Sequence, residues 1–169
     1  MSMIFDSRFR LVTRTGVLAL AALCAGIVTS PRASAGYTYV QAATIPESDL
    51  IQPAALVAVL ESSSERTPLM LQVGAHVLYV QAHIPGSEYV GPGEEDEGLE
   101  ALRSRVAKLP RDTPIVLYCG CCPWDHCRNI GGGYAELQRL GFTGVKVLYL
   151  EYDFGSNWVD QGYPVAVGE

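Results

Sequence analysis

Three mostly apolar runs of strand length mark the hydrophobic pattern of the chain: PLMLQV (68–73), PIVLYC (114–119) and VKVLYL (145–150). They lack strict alternation with polar residues, the pattern of strands covered on both faces. Between them lie segments of helical period. QPAALVAVLES (52–62) sets Leu56, Val59 and Leu60 on one face, with Pro53 in a first turn that tolerates its missing N–H. Leu99 to Lys108 carries Leu99, Leu102 and Val106 on one side. YAELQRLGF (134–142) is stopped by Gly141, which takes the left-handed cap conformation without strain. HIPGSEYVG (83–91) puts a Pro-Gly turn before another short strand. GPGEEDEG (91–98) reads as a solvated acidic loop with no regular spacing for calcium ligands. Strands alternating with helices predict an α/β fold with a central parallel sheet and helices on both faces. In such sheets ligands collect at the carboxyl ends of the strands, where Cys119 falls.

The beginning of the chain reads differently. Arg8, Arg10 and Arg14 precede the apolar run VLALAALCAGIV (17–28), and Ala33-Ser34-Ala35 supplies the small residues a signal peptidase accepts. Residues 1–35 are therefore expected to be a signal peptide, with a lead-in at 36–46 and one domain over 47–169. Leu23 before Cys24 disfavours a lipoprotein signal. No second run of spanning length follows, so no membrane association is expected after the signal is removed, and the destination is the periplasm or the exterior. Losing Arg8, Arg10, Arg14, Arg32 and Asp6 takes the formal net charge from −6 to −9. Such acidity disfavours nucleic acid as a partner, while leaving small anions possible on local N–H groups.

Export changes how the thiols are read. Cys119, Cys121, Cys122 and Cys127 all fall within YCGCCPWDHCRNIGGG (118–133), so they form a site and not a fold-wide disulfide framework.

Taken in order, HIPGS (83–87), IVLYC (115–119), LGF (140–142) and the W-x-x-x-G-Y-P-V piece (158–165) resemble a single-domain rhodanese, of the thiosulfate sulfurtransferase superfamily. The resemblance spans roughly residues 45–167. It implies a loop curled around the sulfur of Cys119, backbone N–H groups that hold a persulfide or anion, and no cofactor. Cys119 is then the catalytic cysteine, and Gly120, Cys121, Cys122 and Arg128 are candidate substrate-binding residues. The implied chemistry passes sulfur from a thiosulfate-like donor to cyanide or a thiol. N–H dipoles at a helix start would favour the reactive thiolate.

The chain also departs from that pattern. Eight residues separate Cys119 from Arg128, a longer loop than the family's, and Gln72 and Gly74 stand where an acid and an arginine are usual. A wider loop suits phosphatases too, but no acid is placed as a leaving-group donor.

Three readings stay open for Cys121, Cys122 and Cys127: resolving or redox partners of Cys119, a disulfide staple between Cys122 and Cys127, or soft-metal ligands. The metal reading takes copper(I) or zinc on the Cys119–Cys127 cluster with His126 nearby. His83 is expected to bond nearby backbone, and His76 to lie at the surface. Tyr118 should face away from Cys119 and serve packing, as should Trp158 beside Gly-Tyr-Pro. Trp124 could shield the site. Gly131 to Gly133 read either as a backbone approach to an anion or as a loop hinge.

Overall fold

A computed structural model describes residues 41–62 and 67–169 of the protein. The expected signal peptide lies outside the described residues, as do the first residues of the lead-in. Five strands form one sheet in the order β1-β5-β4-β2-β3, all parallel: β1 (Leu50–Ile51), β2 (Leu69–Gln72), β3 (Glu88–Tyr89), β4 (Ile115–Tyr118) and β5 (Val145–Leu148). The expected α/β class and parallel sheet are what the chain adopts.

Alternating side chains of the central strands feed two cores. Leu71, Ile115, Leu117, Val145 and Val147 pack on one face with helix α3 (Asp96–Val106) and helix α4 (Arg128–Arg139). Met70, Val116, Tyr118 and Leu148 pack on the other with Leu56 of α1 (Pro53–Glu61), Phe154 and Trp158. Ala42 and Ile45, from the expected lead-in, are buried in the first of these cores.

Three boundaries differ from the sequence pattern. Helix α2 (His76–Gln81) was not expected; it has six residues and buries only Tyr79, too little for a periodic signal. Helix α3 starts at Asp96, inside the expected acidic loop. Asp96 and Glu97 occupy its first turn, where negative charge meets the positive end of the helix dipole.

The third difference bears on the site. Helix α4 begins at Arg128, so Gly131 to Gly133 are helix and not hinge. Three glycines weaken an isolated helix, but packing overrides propensity here. A Cβ on Gly132 would lie 1.9 Å from the carbonyl oxygen of Gly93, and one on Gly93 would lie 2.2 Å from that of Asn129. The glycines let α4 lie backbone to backbone against the strap after β3.

After β5 a π-helical turn (Gly155–Val159) buries Trp158, whose Nε1–H donates to the Pro164 carbonyl at 2.8 Å. The chain then returns to the 83–87 turn, where Ala166 and His83 exchange backbone hydrogen bonds in an antiparallel bridge. His83 stacks on Tyr79, and its Nδ1 lies 2.8 Å from the Tyr79 carbonyl. His76 is half-exposed near Glu169. Among the described residues, no helix is long and apolar enough to cross a membrane.

Candidate active site

Cys119 follows directly from the carboxyl end of β4, the middle strand of the sheet, and is 2% exposed. Two groups fix the turn that follows. Gln72 at the end of β2 is buried; its Nε2 donates to the Cys119 carbonyl at 3.4 Å, and its Oε1 accepts from the Gly74 N–H at 3.1 Å. On the other side, the Gly120 carbonyl accepts from the Phe154 N–H at 3.1 Å. Gly120 has φ of 74°, and a Cβ there would come within 2.5 Å of Phe154 Cβ. Only glycine meets both constraints.

The loop then folds its sulfurs together. The Cys119 sulfhydryl donates to Cys121 Sγ at 3.0 Å, and Cys121 and Cys122 Sγ are 3.3 Å apart. Cys127, the residue before α4, is buried, and its Sγ lies within 4.8 Å of those of Cys119 and Cys121. Asn129, in the first turn of α4, aims Nδ2 at Cys121 Sγ (3.6 Å) and Cys119 Sγ (3.8 Å), while its Oδ1 accepts from the Glu94 N–H.

Converging donors select where charge settles. Hydrogen bonds from Cys119, then Cys127, with Cys122 and Asn129 adding, lower Cys121 to about 2 despite its partial burial. Cys119 is pushed up, first by its bond to Cys121 and then by burial. Burial and the bond to Cys121 raise Cys122, and hydrogen bonds to Cys119 and Cys121 raise Cys127. Charge is thus favoured on Cys121 and disfavoured on Cys119, Cys122 and Cys127.

Among the expected site residues, Gly120, Cys121, Cys122 and Cys127 all gather around Cys119. Arg128 does something else: its Nε pairs with Glu94 at 3.2 Å, and its side chain is 61% exposed. His126 also stands apart from the sulfurs, exposed and paired with Asp125 at 2.6 Å. Trp124 packs on Tyr149 with ring centres 5.1 Å apart, and its N–H donates to the Glu151 carbonyl, which pins the far side of the loop. Tyr118 faces the opposite core, its hydroxyl bonded to Ser87 Oγ at 2.7 Å and the Ile84 N–H at 3.2 Å.

A cavity of about 10 Å³ lies against the sulfurs, lined by Cys119, Cys122, Trp124, Cys127 and Leu148 among others. It is at the lower limit for one water.

Gln72, Gly74 and Asn129 carry the site without having been anticipated in these roles. Asn129 had a faint signal, a short polar side chain just after a cysteine loop, and Gln72 another, the polar residue of an apolar strand.

A family model described as Rhodanese-like domain matches residues 53–153. Over 104 residues the chain is 32% identical to the thiosulfate sulfurtransferase YnjE of Escherichia coli (strain K12), covering 56% of this chain and 22% of that protein. It thus spans about a fifth of the length of that curated relative. A thiosulfate sulfurtransferase from Pseudomonas aeruginosa superposes with a TM-score of 0.52 at 27% identity, over 72% of this chain and 20% of that one. The BH2092 protein from Bacillus halodurans superposes with a TM-score of 0.54 at 21% identity, over 70% of this chain and 76% of that one.

Proposed function

Since the chain belongs to the rhodanese-like domain family, we propose that it is an exported sulfurtransferase that carries sulfur as a persulfide on Cys119. One observation carries this reading: Cys119 follows the carboxyl end of the central strand, and its Sγ faces Cys121 Sγ at 3.0 Å. Only the thiolate is nucleophilic, so Cys119 loses its proton before it attacks.

The Cys119 thiolate attacks the outer sulfur of thiosulfate or a related donor. A sulfur–sulfur bond to Cys119 forms, the donor's own sulfur–sulfur bond breaks, and sulfite departs with the electron pair. Cyanide or a thiolate then takes the outer sulfur, yielding thiocyanate or an acceptor persulfide and returning Cys119 as thiolate. The Asn129 amide is the side-chain donor available to the persulfide charge. Because the cavity is no larger than a water, the donor enters as the 120–127 loop swings outward.

The test is thiocyanate formation from thiosulfate and cyanide by the purified protein, pre-reduced and metal-stripped. Cys119→Ser is expected to abolish turnover, and joint replacement of Cys121, Cys122 and Cys127 by serine to slow it. Equal rates in Cys119→Ser and the parent would end the assignment. Export rests on the pattern of residues 1–35. It predicts protein recovered outside the cytoplasm with Gly36 at its N-terminus, and recovery with residues 1–35 intact would refute it.

A further inference from the structure

Sulfur transfer by Cys119 needs neither three additional thiols nor a closed apolar pocket around them. Among the described residues, Cys119, Cys121 and Cys127 are the group whose ligand atoms converge, all three Sγ lying within 4.8 Å of one another. We propose that these three sulfurs form a binding site for one monovalent soft metal ion, copper(I), and that an ion held there withdraws Cys119 from sulfur transfer.

Three observations converge on this ion. The donor set is sulfur alone, since the His126 imidazole lies at the surface on Asp125. Thiolates select soft ions, copper(I) and zinc foremost. Cys122 falls outside the converging group, which leaves three ligands. Structural zinc takes four in a tetrahedron, whereas three sulfurs leave a zinc shell open. The site is also confined: the adjoining cavity between Trp124, Ile130, Leu148 and Leu150 holds about 10 Å³, which leaves little room for water to enlarge the shell from beneath.

The surroundings are those of ligands already oriented. Metal-bound side chains are typically held by hydrogen bonds from an outer layer. Asn129 Nδ2 reaches two of the three sulfurs, those of Cys119 and Cys121. It donates to sulfur without competing for the ion, and it offsets part of the negative charge that three thiolates gather. Each ligating thiol releases its proton to solvent. Cys121 and Cys122, half-buried at the surface of the loop, form the entry. Cys119 and Cys127 close the site from beneath.

The site is independent of the sulfurtransferase reading, because copper is counted without turnover. Purified protein, reduced and metal-free, is titrated anaerobically with copper(I), supplied as its acetonitrile complex, against a chromogenic copper(I) chelator. The expected result is one copper(I) withdrawn per chain, with X-ray absorption showing sulfur ligands only, three in number. Asn129→Ala should weaken binding about tenfold to a hundredfold. Cys127→Ser should weaken it further, and His126→Ala should leave it unchanged. Because Cys127 is buried, circular dichroism accompanies that variant, and the absorption spectrum of the parent stands whatever the variant's stability.

No withdrawal of copper from the chelator would overturn the proposal. So would binding that climbs past one ion per chain without a plateau, a four-sulfur shell, or equal losses in Cys122→Ser and Cys127→Ser. A site that retains zinc in preference to copper(I) would overturn the identity of the ion.

Discussion

The Cys119 sulfhydryl donates a hydrogen bond to Cys121 Sγ across 3.0 Å, and this directed contact divides the labour between two thiols two residues apart. The buried sulfur keeps the proton and the half-buried sulfur keeps the charge. Because Cys121 is lowered to about 2, it is ionised throughout the range in which the protein is handled. A free thiol loses alkylation rate about tenfold per pH unit below its pKa, since only the thiolate reacts. Iodoacetamide should therefore modify Cys121 first, at a rate nearly level from pH 5 to pH 8, with Cys119 spared. Peptide mapping by mass spectrometry reads this out. A Cys121 rate that rises tenfold per unit would contradict the arrangement.

Asn129 supplies the one side-chain amide of that arrangement. Asn129→Asp replaces a donor by a like charge about 3.6 Å from the Cys121 sulfur. Hydrogen bonds to charged groups contribute about 1.5–3 kcal/mol, which is about tenfold to a hundredfold in an equilibrium. The pH below which Cys121 labelling falls away should therefore move up by about one to two units. An unmoved pH profile would show that the amide does not hold the thiolate.

Gly132→Ala tests the backbone contact beneath the site. In an ordinary helix this change stabilises by about 1 kcal/mol. Here the new methyl meets the Gly93 carbonyl at 1.9 Å, and a backbone oxygen cannot turn aside. A net loss on the order of 2–3 kcal/mol is expected, lowering the thermal midpoint by several degrees. Gly133→Ala, with 3.3 Å to a Val73 methyl, should stay much nearer the parent. If the two melt alike, the close approach is not what holds these glycines.

Tyr118 adjoins Cys119 in sequence but serves the opposite core. Tyr118→Phe removes the hydroxyl that bonds Ser87 and the Ile84 N–H, leaving buried groups unpaired at a cost of about 1–3 kcal/mol. Urea unfolding should register this loss while the thiocyanate rate per folded molecule is unchanged. A collapse in rate without a loss of stability would bring Tyr118 into the chemistry.

Most of the sheet was legible because its strands are apolar on both sides, a pattern few other environments produce. Cys119 was legible for the same reason: it ends the most apolar strand. The start of α4 was not. Glycine runs suggest loops, and the force that makes Gly132 helical is a contact with Gly93, some forty residues earlier. Helix α2 buries a single side chain, so its residues carry no periodic trace. The convergence of Cys127 on Cys119 was equally hidden, because the distance between those sulfurs depends on how Pro123 to His126 coil into a 3-10 turn. Arg128 was named from the family resemblance, and its pairing through Nε with Glu94 had no trace in the sequence.

The grip of Phe154 on Gly120, and of Ala166 on His83, also sets an order of events during synthesis. The loop bearing the four thiols emerges from the ribosome well before the segment that clamps it. Until residues 154–166 arrive, no backbone bond holds Gly120 in its turn from that side, and the second core lacks Phe154 and Trp158. Contacts between distant parts of a chain form late, since loop-closure entropy must be overcome first. The nascent protein thus passes through a stage in which the turn after Cys119 is held from one side alone, and the closing segment completes the burial of that sulfur.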